Sequence, residues 1–206
     1  MASVRSMSLS CRQRGASLIV SLLMLVAVLL LGISAAQISM QGEKASRSDR
    51  DRQIALQAAE AALLDAELDI ENSPSAAHGR SALFDKSSAQ GFVEGECGAG
   101  ESNQYLGLCK SIVGVTPIWQ TVDLTDAAST MQSVPYGKFT DQVFQTGKGA
   151  LPGRLPRYII ELMNFNQQGD SADSSGLTYF YRVTAIGFGT RDTTQVVLQT
   201  FYRKGA

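Results

Sequence analysis

The chain is poor in the residues on which most enzymatic chemistry depends. Its 206 residues include one histidine, one tryptophan and three cysteines. The histidine, His78, stands beside Gly79 in a polar stretch with no cysteine or acidic constellation around it, and it reads as a surface residue. No G-x-S-x-G, phosphate-cradling P-loop or H-E-x-x-H is present, so nothing supports an enzyme assignment, a cofactor or a metal. A surplus of either charge is also missing. Eighteen basic residues stand against 19 acidic ones, and a net charge of -1 supplies no general attraction for nucleic acid.

Two local patterns fall short of a site. Gly187-Phe188-Gly189 follows a strand pattern but has no third glycine and no helix after it, and reads as a hairpin connection. Asp170 and Asp173 have oxygen ligands for calcium, but their spacing matches no complete calcium loop and a solvated turn explains them.

What the chain does have begins with a long apolar run. Residues 16–36 carry no charge over 21 positions, enough at about 1.5 Å per residue to span a hydrocarbon core of about 30 Å. Arg5, Arg12 and Arg14 precede it with no acidic residue, which places the N-terminus in the cytoplasm and the rest of the chain outside it. A secretory signal cut after Ser34-Ala35-Ala36 is the rival, but its apolar region should be only about 7 to 15 residues. Without residues 1–15 the chain would hold 15 basic residues against 19 acidic ones. It would also lose Cys11 and keep Cys97 and Cys109, a pair suited to a disulfide in an oxidising compartment. A metal site built on these two thiols would be incomplete.

Beyond the apolar run no turn signal interrupts residues 43–71, where good helix formers dominate, and Asn72-Ser73-Pro74 supplies the stop. The pattern predicts one helix over residues 16–71. Projected at 100° per residue, its outer part shows two apolar stripes: Leu56, Ala59, Leu63, Ala66 and Ile70 on one side, Ile54, Ala58, Ala61 and Leu68 on roughly the other. One stripe is expected to face the chain's own domain and the other to face neighbouring subunits, with alanines permitting close approach.

Residues 75–155 are rich in Gly, Ser, Pro and Asn, and predict an irregular region with a few short strands, apolar islands at 111–115 and 117–120, and a short helix near 126–132. Trp119 and Tyr136 lie here and are expected in the core. Residues 157–162, 178–185 and 195–202 are β-branched and aromatic, separated by turn-rich stretches, and predict an antiparallel meander. The expected fold is α+β: a long N-terminal α-helix, membrane-spanning in its first half, packed on an antiparallel β-sheet. The expected divisions are 1–15, 16–36, 37–73 and a globular β-rich 74–206.

Arg12-Gln13-Arg14-Gly15 followed by Ala16-Ser17-Leu18-Ile19-Val20 resembles the N-terminus of type IV pilins. The closer resemblance is to PilX-type minor pilins, carried by Asp-Arg-Asp-Arg-Gln-Ile-Ala-Leu-Gln-Ala-Ala-Glu-Ala-Ala-Leu over residues 49–63 and by Val-Val-Leu-Gln-Thr-Phe-Tyr-Arg-Lys over 196–204. The resemblance implies that prepilin peptidase cleaves the leader between Gly15 and Ala16 and methylates Ala16. It also implies residence in the inner membrane with a periplasmic domain, then in the pilus, at or near the tip. The implied partners are other minor pilins, the major pilin and a large tip-associated adhesin, with roles in pilus assembly, twitching motility and surface attachment. One departure stands out: the near-invariant glutamate of major pilins falls at Val20. Tip pseudopilins of type II secretion resemble this chain in that absence and form the second reading. A bitopic membrane protein with a periplasmic sensor or binding domain, keeping residues 1–15, is the third.

Overall fold

A computed structural model describes residues 16–165 and 178–205. The chain divides into two compact units, Met1–Arg47 and Ser48–Ala206. Gly15, the rest of the leader, and Asp170 and Asp173 lie outside the described residues.

The helix α1 (Ala16–Glu71) is unbroken, as the absence of turn signals predicts. In the first unit every described side chain from Ser17 to Arg47 is exposed, and α1 is long and apolar enough to cross a membrane. Its serines do not break it. Ser21 and Ser34 return their hydroxyls to the carbonyls of Leu18 and Leu30, which keeps those polar groups bonded within the helix.

In the second unit α1 ends where Asn72 donates its N–H to Leu68, just before Ser73-Pro74. Its buried face differs from either expected stripe. Asp51, Ala55, Ala58, Ala59, Ala62, Asp65, Ala66, Asp69 and Ile70 are buried, while Leu56, Leu64 and Leu68 are exposed. Side-chain size decides this. The face against the sheet is built from alanine because the backbones approach closely there, and the bulkier leucines are left outside.

The sheet has β1 (Leu108–Cys109), β2 (Val134–Pro135), β3 (Arg157–Phe165), β4 (Thr178–Phe188) and β5 (Gln195–Tyr202). Its order is β1-β3-β4-β5, with β2 also paired to β3. The β3-β4-β5 meander is antiparallel, as the sequence predicts, but β1 runs parallel to β3, so the sheet as a whole is mixed. Two cores sit on its faces. Tyr158, Ile160, Tyr181, Val183 and Ala185 pack with Ala62, Ala66 and Ile70 of α1, closed by Phe84, Leu106 and Leu108. Ile159, Ile186 and Phe188 on the opposite face pack with Ile118, Leu124, Cys97 and Cys109.

The middle of the chain departs from expectation in three places. Residues 126–132 form no helix, because the carboxylates of Asp123 and Asp126 accept bonds from the amides of Thr125 and Ala128 and divert the backbone into turns. The 111–115 island is a turn closed by Val115 N–H on the Ile112 carbonyl, with Val113 in solvent. The 117–120 island is a single 3₁₀ turn, Ile118–Gln120, whose Ile118 is buried. Trp119 packs against the second core and is half-buried, while Tyr136 is half-buried beside Phe144, ring centroids 5.1 Å apart. Gly187 is no hairpin residue: it lies inside β4, opposite Val196 of β5, on the side facing α1.

Candidate functional site

The residues expected to act in membrane processing lie at the start of the first unit. Ala16 begins α1, and Val20 sits exposed one turn later with an aliphatic side chain. The second unit holds the remaining predicted site, and the structure forms it. Cys97 and Cys109 are bonded, with Cα atoms 4.1 Å apart and a sequence separation of 12. Both are buried, and Cys109 belongs to β1 beside Glu161 of β3. The enclosed loop is tied by Gly98 N–H to Leu108 and Gly107 N–H to Gly98. Gly98 has no room for a side chain, since a Cβ would fall on the Tyr105 carbonyl oxygen.

The disulfide therefore staples an irregular loop to the sheet edge. Closing a loop of this size restricts the unfolded chain by about 2 to 3 kcal/mol. Thiol labelling of the denatured, unreduced protein should find neither Cys97 nor Cys109. Replacing both by serine should lower the unfolding free energy by that amount, and quantitative labelling of the unmodified protein would contradict the bridge.

The residues that fix α1 to the domain were not singled out by sequence. Three carboxylates on its buried face, Asp51, Asp65 and Asp69, are each received by a different segment. Asp51 accepts from the Thr190 amide, and from the hydroxyls of Thr190 and Thr194 in the β4–β5 turn. Burial alone raises its carboxyl, but these hydrogen bonds outweigh it and hold the group below the ordinary range. Asp65 accepts from the Gly137 amide at 2.8 Å and from the Thr140 hydroxyl. Its carboxyl is pushed up by burial, which those two bonds offset only in part and nearby Asp69 reinforces.

Asp69 is the most elaborate of the three. Arg80 donates to both its oxygens, Nη2 at 2.7 Å and Nε at 3.0 and 3.1 Å, and the Tyr158 hydroxyl donates at 2.9 Å. Burial first, and then the Asp69 charge, push the Tyr158 phenol well above its ordinary value. The other Arg80 nitrogen donates to the carbonyls of Gln104 and Leu106, and the guanidinium lies 3.6 Å over the Phe139 ring. On the other side of the sheet, Glu161 is fully buried, takes two bonds from Arg182 and one from Ser111, and so anchors the turn after β1. A signal for the helix carboxylates was present: aspartates at 51, 65 and 69 share one face with alanines at 55, 58, 62 and 66.

These groups hold the fold together. The His78 ring lies 3.1 Å from the Asp141 carboxylate, with both side chains exposed, and its backbone N–H donates to the Ser75 hydroxyl. Among the described residues no group of three or more His, Cys, Asp or Glu side chains could hold a metal ion.

An exposed apolar N-terminal helix that continues into a domain and backs a meander sheet defines the pilin-like class. The chain belongs to the PilX family of type IV pilus assembly proteins: residues 85–204 match the C-terminal model of that family, and residues 14–64 match its N-terminal model. This family is a structural component of the pilus. No curated protein and no solved structure matches the chain.

Proposed function

We propose that this chain is a minor pilin that helps to initiate the type IV pilus and stays at or near its tip, supporting twitching motility and surface attachment. In this reading prepilin peptidase removes residues 1–15 at the Gly15–Ala16 bond and methylates Ala16. The helix is then held in the inner membrane until assembly, with the second unit in the periplasm. The other minor pilins, the major pilin and a large tip-associated adhesin are its partners.

The observation that carries the tip position is Val20. In pilins a carboxylate at this place neutralises the N-terminal amine of the neighbouring subunit. At about 4 Å and an effective dielectric near 20 that attraction is roughly 4 kcal/mol before desolvation reduces it. A net difference of only about 1.4 kcal/mol gives a tenfold bias against adding this subunit behind another. The first position escapes the penalty because no earlier amine awaits a partner. Immunogold labelling of sheared pili should find the unmodified protein at ends and Val20→Glu along the shaft as well. Dense shaft labelling of the unmodified protein would overturn the reading.

A further inference from the structure

Strand β5 is hydrogen-bonded only to β4, and no strand covers its other edge among the described residues. Open edges of soluble proteins are ordinarily shortened, bulged, or guarded by lysine or proline. The eight residues of β5, Gln-Val-Val-Leu-Gln-Thr-Phe-Tyr, contain no charge, no proline and no glycine. Val197 is 49% exposed and Phe201 64% exposed on its outward side.

The sequence of this edge complements itself. Placed antiparallel to a second copy and centred on Gln199, it sets Val197 opposite Phe201, Val196 opposite Tyr202, Leu198 opposite Thr200, and Gln199 opposite Gln199 of the other copy. Aromatic residues thus meet β-branched ones on both faces of the sheet, a favourable class of cross-strand pair. Arg203 falls opposite Gln195, so no like charges meet. Centring one residue away in either direction sets Gln199 opposite Val197 or Phe201 and loses those pairs. We propose that β5 is a self-association edge, through which two copies of this chain join their sheets by antiparallel β5–β5 pairing about Gln199.

The two-fold axis of such a pair stands perpendicular to the sheet, so it reverses the direction of α1 between the copies. The pairing is a contact between the second units of two copies. It does not depend on the position of the subunit in a filament.

The geometry makes one residue diagnostic, because only a residue on the axis meets itself. The probe is full-length protein in detergent, with Cys11→Ser to remove the unpaired thiol. Under mild oxidation Gln199→Cys should form a reducible dimer, its Cβ atoms being about 5 Å apart. Val196→Cys, displaced from its own copy by about 20 Å, should link at least about tenfold more slowly. Val197→Cys and Phe201→Cys should each stay monomeric alone and link when mixed, which tests the register with a second set of variants. The proposal is overturned if Gln199→Cys links no faster than Val196→Cys, or if the mixed pair links no better than either alone.

Discussion

Arg80→Ala should cost about 3 to 5 kcal/mol of unfolding free energy, the range for breaking a buried ion pair on one side. The Arg80 and Asp69 side chains are 3% and 0% exposed, so water cannot replace the lost partner. The substitution strands the Asp69 carboxylate with only the Tyr158 hydroxyl. It also frees the carbonyls of Gln104 and Leu106, and removes the cation from the Phe139 ring. For a chain of this size the loss corresponds to a fall in Tm of about 6 to 20 °C. Urea unfolding of the detergent-solubilised protein measures it directly. The double variant Arg80→Met with Asp69→Leu should recover much of the deficit, because a well-packed apolar pair removes the buried charge along with its partner. A single variant within about 1 kcal/mol of the parent would show that the network is incidental.

Gly187→Ala should be nearly as damaging, although it adds one methyl group. Strand β4 passes so close beneath α1 that a Cβ at Gly187 would fall on the carbonyl oxygen of Ala55 and the amide nitrogen of Ala59. Both are backbone atoms inside a helix, and neither can turn aside as a side-chain tip would. Helix and sheet would have to separate, breaking the contacts of Ala58 and Ala59 and loosening the Asp51 bonds to Thr190 and Thr194. Overpacking a core ordinarily costs about 1 to 3 kcal/mol, and a backbone-on-backbone clash belongs at or beyond the upper end. Gly147→Ala is the control, since its Cβ would make only ordinary contact with Leu151 at 3.6 Å, and a change within about 0.5 kcal/mol is expected. Hydrogen exchange across residues 55–66 adds a local readout. Protection there should collapse in the Gly187 variant and persist in the control.

The same close approach explains which parts of the fold were legible beforehand. Unbroken helix formers up to Asn72-Ser73-Pro74 give the extent of α1, and three β-branched and aromatic runs give β3, β4 and β5. Each is long enough for its own pattern to specify it. The two-residue strands β1 and β2 have no such pattern, since they exist only by pairing with β3. Helical projection failed on α1 for a related reason. It ranks positions by apolarity, so it favoured Leu56 and Leu68, whereas the sheet selects for small size and for aspartates with partners distant in sequence. Gly187 was misplaced because glycine at a turn and glycine under a helix look alike in a sequence.

By itself, the sequence determined the apolar run long enough to span a membrane, the continuous helix and the meander, because each follows from local composition or periodicity. The disulfide pairing was also within its reach, since Cys97 and Cys109 are the only two cysteines beyond the apolar run. Tertiary structure alone decided which face of α1 is buried, why that face is alanine, and how Asp51, Asp65 and Asp69 are neutralised or hydrogen-bonded. Those outcomes depend on groups such as Arg80, Thr140, Tyr158 and Thr190, which lie between 11 and 139 residues away along the chain. A burial penalty on a carboxylate is set by what the folded chain brings to it, and no local pattern encodes that.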